Sequence, residues 1–275
     1  AKDVRNDVIS EALIDELPNS QKRVLKRLVN ENFSTWLIVL PLAKDGFDLT
    51  AQQFRDRLSE RYGRVPMGLP TECDGCGKDF SLQHALDCKK GGLVKKGHDS
   101  LRDECSRLAE AAWGGVRIEP IIKEACGRLK EDLRADFCVR GVWEGDRLAF
   151  FDNCIIDADA PSRIQRNTSY KTSLNAAAKA KKEKYKKVCE DIRSSITPLA
   201  CTTDGILHRE FQAFLKRLSV RLASKWEKSY AQTMGWVKVK IQFAIIRAID
   251  LRVRGSRKKV WGLGLEDGAG MGFFF

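Results

Sequence analysis

Two groups of residues in this chain have the types and spacing to do chemistry. The first is Cys73-x2-Cys76-x7-His84-x3-Cys88. Three thiolates and one imidazole at such spacing are the ligand set of a closed, tetrahedral structural zinc site. Gly75 and Gly77 let the first knuckle turn tightly around an ion. The set leaves no open coordination position, so its zinc is expected to be structural, or to help grip nucleic acid, rather than catalytic.

The second group spreads over Leu133–Ile192. Apolar runs at Leu133–Val142 and Leu148–Asp157 flank Trp143-Glu144-Gly145-Asp146 and read as a β-hairpin. A three-residue loop at Trp143-Glu144-Gly145 sets Val142 opposite Asp146, and therefore Asp136 opposite Asp152 on one face. Opposed carboxylates repel, and a hard divalent cation such as Mg²⁺ between them removes the objection. A two-residue loop at Glu144-Gly145 would instead set Asn153 opposite Asp136 and turn Asp152 to the far face. The three-residue loop is preferred because Phe137, Val139, Phe151 and Ile155 then share the core-facing side.

A lysine-loaded helix is expected at Thr172–Ile192. Leu174, Ala178, Lys181, Tyr185, Val188 and Ile192 recur at helical spacing as its inward stripe. Lys181 thus lies on the packed face, where a lysine is costly unless paired, while Lys179, Lys182, Lys186 and Lys187 can point to water. Two carboxylates, a divalent cation and a lysine aimed at them make a hydrolytic phosphodiesterase site. The same residues also read as a surface hairpin beside a solvated basic helix. Glu104 and Glu119 are further candidate ligands, with plain surface acids as the other reading. His98 reads as a cap or phosphate contact rather than a general base.

The elements that must position these groups follow from patterning. The 275 residues allow one large domain or two smaller ones, and 43% hydrophobic content supports a core. Lys and Arg number 49 against 37 Asp and Glu, a net charge of +12 that points to a polyanionic partner. Nine cysteines, an odd count, read as reduced thiols and metal ligands rather than a disulfide framework. No secretory signal and no apolar run of about 18 residues is present, so a soluble, intracellular chain without a membrane partner is expected. The chain starts at Ala1 inside a charged helical pattern and reads as a piece of something longer.

Residues 1–65 are expected to form a helical connector, with helices at Asp7–Leu17 and Gln21–Asn30, an apolar piece at Trp36–Leu42, and a Thr50-capped helix carrying Phe54, Leu58 and Tyr62. The zinc knuckle occupies 66–95. Within 96–205 come a helix at His98–Trp113, a strand at Val116–Lys123 with Pro120 marking an edge or bulge, the hairpin, the lysine helix and a strand at Ile196–Thr203. That order is αβββαβ, and the fold class is α/β of the α+β kind. Amphipathic helices at Leu207–Leu222 and Lys225–Val253 make a C-terminal extension over 206–260. It ends in a basic cluster, Arg252–Lys259, read as a solvated end or a phosphate contact; 261–275 is expected to be disordered.

An αβββαβ unit with acidic residues on its central hairpin resembles the PD-(D/E)XK restriction-like nuclease fold. The upstream Cys-Cys-His-Cys knuckle and Lys96-Gly97-His98-Asp99 at the first helix are similar to one subgroup, the endonuclease at the C-terminus of site-specific non-LTR retrotransposon polyproteins. The resemblance covers roughly Thr71–Thr203. Ala135 stands where that family has proline before the first carboxylate, and Cys154 where most PD-(D/E)XK enzymes carry lysine. In the subgroup the lysine moves to the following helix in a Lys-x-x-Lys-Tyr pattern, which Lys181–Tyr185 reproduces. The resemblance implies a nuclear, Mg²⁺-dependent endodeoxyribonuclease, a phosphodiester hydrolase that nicks target DNA for target-primed reverse transcription. It implies structural zinc on Cys73, Cys76, His84 and Cys88, catalytic Mg²⁺ on Asp136 and Asp152, and Lys181 as the catalytic lysine with Lys184 as alternate. The implied partners are DNA, element RNA as a further candidate, and an upstream reverse transcriptase in the same polyprotein. No Tyr-x-Asp-Asp polymerase signature lies in the chain itself. The alternative is a catalytically inactive zinc-knuckle module that only binds nucleic acid.

Overall fold

The apolar run that begins at Leu148 has few polar positions on either side, which is the pattern of a strand covered on both faces. A computed structural model describes residues 14–31, 34–125 and 131–258 and places this run at the centre of a four-stranded sheet. In chain order the helices and strands are α1 Asn19–Asn30, α2 Ala51–Arg61, α3 Leu82–Asp87, α4 Leu93–Trp113, β1 Arg117–Ile118, β2 Ile121–Lys123, β3 Leu133–Arg134, β4 Phe137–Arg140, β5 Leu148–Ile156, α5 Pro161–Gln165, α6 Tyr170–Asp191, β6 Ser195–Thr202, α7 Arg209–Trp226 and α8 Tyr230–Arg254. Helix and sheet are both present in one core, an α+β fold.

The sheet order is β1-β4-β5-β6, with β2 and β3 pairing separately. β4 and β5 are antiparallel, and β6 runs parallel to β5 after the α6 crossover. On one face, α4, α7 and α8 cover Phe137, Val139 and Phe151. Phe137 stacks on Phe151 at 4.8 Å, and Phe214 of α7 meets Phe151 at 4.8 Å. On the other face, Tyr185 and Cys189 of α6 cover Cys138 and Phe150.

Several boundaries move for physical reasons. α4 begins at Leu93, so His98 lies in its second turn and Gly92, not His98, is its N-cap. The expected strand Val116–Lys123 divides into β1 and β2, because Pro120 has no N–H to give and Glu119 takes a left-handed φ of 48°. The first hairpin strand likewise splits around Ala135-Asp136. α6 starts at Tyr170, capped by Ser169 accepting from Thr172 N, and Cys189 rather than the half-exposed Ile192 completes its buried stripe. The expected strand Ile196–Thr203 is β6, shifted by one residue, and the last two helices meet at Glu227 in the left-handed region. Most of the expected helix Asp7–Leu17 and all of 261–275 lie outside the described residues. Among the described residues no helix is long and apolar enough to cross a membrane.

The basic cluster at Arg252–Lys259 is the clearest correction. Arg252 and Arg257 are buried, at 4% and 2% exposure, and Arg254 makes a two-pronged pair with Asp56 at 2.6 and 2.8 Å. Of the described part of the cluster, only Ser256 and Lys258 are exposed. Lys259 lies outside the described residues.

α1 is held by charge as well as by apolar contact. Arg27 bridges Asp159 and Asp204, its Nε lying 2.9 Å from Asp204, and Arg23 pairs with Asp159 at 3.2 Å. Arg57 of α2 donates to the Thr203 and Asp204 carbonyls at 3.2 and 2.5 Å. Burial pushes the Asp159 carboxyl up, but Arg27 and Arg23 outweigh it and hold the group below the usual carboxylate range. Arg27→Ala leaves two acids facing one another across a desolvated gap and should destabilise the protein by about 3 kcal/mol in denaturant titration. A depressed folded-state pKa contributes stability present above the unfolded value near 3.8 and lost as pH falls through the lower folded value. The loss in Arg27→Ala should therefore be full at neutral pH and shrink only on the acid side of that value.

Candidate functional site

Local hydrogen bonds build the knuckle. Cys73 N donates to Lys78 O and Gly77 N to Cys73 O, both at 2.8 Å, which closes the turn between the first two cysteines. Ser81 caps α3 by accepting from His84 N, and Cys88 ends that helix with its N–H on His84 O at 2.8 Å. The ligand atoms of Cys73, Cys76, His84 and Cys88 lie within 4.8 Å of one another, and they are the group of three or more such residues found among the described ones. Cys73 Sγ is 3.9 Å from Cys88 Sγ, and Cys76 Sγ is 3.4 Å from His84 Nε2. Thiolates about 2.3 Å from a tetrahedral ion stand about 3.8 Å apart, so the donor set fits zinc. Burial raises the Cys73 thiol, but the Gly75 amide, His84 and Cys76 outweigh it and bring it down to about 6.

The tail after α8 clamps the knuckle. Asp74 Oδ2 accepts from Ser256 Oγ at 2.7 Å and from Arg257 N at 2.9 Å. The Arg257 guanidinium lies 5.3 Å from the Phe80 ring centroid and donates to Ala85 O at 3.1 Å. Gly75 and Gly91 are required here, because a Cβ on either would come within 2.6 Å of Arg257.

The second group assembles where β4 begins. The β4–β5 register pairs Phe137 with Phe151 and Val139 with Ala149, the register of the expected three-residue loop. The loop is wider than expected: Gly141 N still donates to Arg147 O at 3.2 Å, Arg147 N closes a turn onto Glu144 O, and Val142 drops into the core. Continuing the register would set Asp136 directly opposite Asp152, but the ladder stops at Phe137. Asp136 N goes to Phe151 O at 3.0 Å, and its Oδ2 takes the Asn153 amide at 2.5 Å. A buried strand amide needs an acceptor once its neighbour strand ends, and Asp136 supplies it.

The two carboxylates are then held from opposite faces. Asp136 Oδ2 lies 3.1 Å from His98 Nε2 on α4, and that nitrogen also lies 3.2 Å from Asn153 O. Asp152 Oδ2 pairs with Lys181 Nζ of α6, and Asp152 Oδ1 lies 3.1 Å from the Tyr185 hydroxyl. Burial, then the Asp136 charge, push the Asp152 carboxyl up, against the pull of Lys181 and Tyr185. Burial lowers the His98 imidazole, and Asp136 raises it past its usual value.

Lys181 is therefore the paired lysine of the inward stripe. Lys184 sits apart from the carboxylates, its Nζ 2.9 Å from the Tyr185 hydroxyl and 4.6 Å from that ring's centroid. Lys182 pairs with Glu210 at 2.7 Å and remains partly open to water; Lys179, Lys186 and Lys187 are exposed. Glu104 pairs with Arg107 and Glu119 with Arg102, each at 2.6 Å, and neither joins the carboxylate pair. Sequence reasoning missed His98 as the partner of Asp136 and Tyr185 as a partner of Asp152. The position of Tyr185 on the buried stripe, and its place in the Lys-x-x-Lys-Tyr pattern, pointed toward the latter.

Purified protein should carry about one zinc per chain, measured by elemental analysis. Cys76→Ser should release it and speed proteolysis within 66–92; metal-free protein with an unchanged digestion pattern would contradict the assignment. The chain matches no protein-family model and no curated protein.

Proposed function

We propose that this chain is a metal-dependent DNA endonuclease with a restriction-like core, nicking target DNA for target-primed reverse transcription. The observation that carries the reading is the ion pair between Lys181 of α6 and Asp152 of β5, with Asp136 bonded to the amide of Asn153, the next residue. The sheet order, an antiparallel hairpin followed by a parallel strand with α4 and α6 on opposite faces, supports it, as does the excess of basic residues.

Asp136 and Asp152 would hold Mg²⁺, which when bound polarises a scissile phosphate and acidifies water. The remaining work falls to side chains. Lys181 lies within reach of Asp152 and carries its positive charge at the mouth of the pair, where it can orient a water or offset charge on the phosphate. Burial lowers the Lys181 ammonium but Asp152 raises it further, so it remains a cation and not a base. His98 fixes the Asp136 rotamer from the α4 side.

Incubation with supercoiled plasmid and Mg²⁺ tests the reading. Asp136→Ala, Asp152→Ala and Lys181→Ala should each abolish nicking and keep DNA binding, and Lys179→Ala, altering an exposed lysine, should nick normally. Binding without nicking in the unsubstituted protein would leave the zinc-knuckle docking module instead. In a salt titration, neutralising the exposed Lys186 and Lys187 together should flatten the slope of log affinity against log salt by roughly one to two units. An unchanged slope would remove this face of α6 from the DNA footprint.

A further inference from the structure

We propose that Tyr185 is a positioning residue that sets the separation of the two carboxylates, a role that rests on the hydrolytic site proposed above. Its hydroxyl lies 2.9 Å from the carbonyl oxygen of Arg134 and 3.1 Å from Asp152 Oδ1. Arg134 ends β3, two residues before Asp136, and Asp152 belongs to β5. One phenol thus touches both chain segments that present the acids. It adds to the bonds from Asp136 N to Phe151 O and from Asn153 N to Asp136 Oδ2, in a stretch where Ala135 and Asp136 belong to neither β3 nor β4.

Proton counting sharpens the role. Lys184 Nζ, 2.9 Å away, can only donate, so the hydroxyl oxygen accepts there and its single proton is shared between the two acceptors in a three-centre bond. The carboxylate, being charged, is the stronger acceptor. A cation on Asp152 would weaken that hydrogen bond, and the Arg134 carbonyl would then take the proton. The hydroxyl stays anchored in both states. Lys184 thus reaches the carboxylate pair through the Tyr185 hydroxyl.

The ring itself is ordinary core: Tyr185 is 1% exposed and packs with Ile122, Leu133, Ala135, Cys138, Phe150 and Cys189. Phenylalanine fills the same volume, so Tyr185→Phe removes the tie and spares the packing.

The test compares Tyr185→Phe with the unsubstituted full chain in two measurements. In the first, amide hydrogen exchange without added Mg²⁺, Asp136 and Asn153 should exchange about tenfold faster in the variant, the scale of one lost hydrogen bond to a charged group. Amides of α7 and α8 should be unchanged. In the second, plasmid nicking titrated with Mg²⁺, the half-maximal Mg²⁺ concentration should rise about tenfold, with much of the rate recovered at saturation. A purely structural tyrosine would not move that midpoint. Unchanged exchange at Asp136 and Asn153, or faster exchange with an unmoved midpoint, would overturn the assignment. If the unsubstituted chain does not nick, the proposed activity fails, and the exchange measurement alone decides whether Tyr185 ties the two segments.

Discussion

Asp152 is 3% exposed in the central strand of the sheet, where an isolated carboxylate would be driven toward its neutral form. Keeping it charged requires a cation and a donor on the same face. Lys181 and Tyr185, one helical turn apart, supply both. That requirement constrains α6, which must lie along β5 with this stripe facing inward, and the parallel return of β6 follows from the crossover. A buried ion pair adds little net stability, because desolvation cancels most of the attraction and apolar residues of similar volume often do as well. The pair is thus poorly explained as a stabilising device. Chemistry that needs a charged oxygen is the better physical reason for it, and this is the ground on which the proposed hydrolytic role stands.

The basic residues teach a related lesson about charge. A net charge of +12 does not mean that each cation faces solvent. Arg27, Arg57, Arg252 and Arg257 are all buried, each at 5% exposure or less. Their guanidinium groups serve as internal connectors: Arg27 and Arg57 join the connector helices to the loops after β5 and β6, Arg252 joins α8 to α4, and Arg257 joins the tail of α8 to the knuckle. Arginine suits this use because its planar fork satisfies several oxygens at once and is less strongly hydrated than an ammonium. The surface available to a polyanion is correspondingly narrower than composition implies. It includes the exposed lysines of α6, of which Lys179, Lys186 and Lys187 are examples.

What could be read ahead of the structure divides by the range of the interaction. The cysteine and histidine ligands converge because a turn and one short helix separate them, so spacing alone was enough. The hairpin register was also legible, since alternation and a Gly-bearing turn leave few ways to pair Phe137, Val139 and Phe151. The departure of Asp136 from the ladder was not, because its cause is the amide of Asn153, a partner on another strand. The burial of Arg252 and Arg257 was hidden for the same reason. A run of basic residues reads as a solvated end until the carbonyls and the phenyl ring that receive it are in place. Tyr185 appeared as a residue of an apolar stripe and of the Lys-x-x-Lys-Tyr pattern, and the partners of its hydroxyl, Asp152 and the Arg134 carbonyl, came only with the fold.

The two chemical centres are joined by one rigid element. Cys88, the last knuckle ligand, is followed within five residues by α4, and His98 in that helix reaches Asp136. Gly97 lets α8 approach α4 closely: a Cβ there would stand 2.8 Å from Ala248 O. The C-terminal end of α8 continues into the segment that grips Asp74 and covers Gly75 and Gly91. A metal held by the knuckle therefore fixes both the start of α4 and the exit of α8, and the contact between these two helices carries that order to the His98 side of the carboxylate pair. Asp152, held from α6, does not share this support. The geometry of the pair depends on two scaffolds, one organised by the knuckle and one by the Lys181–Tyr185 stripe, which meet at Asn153 and the start of β4.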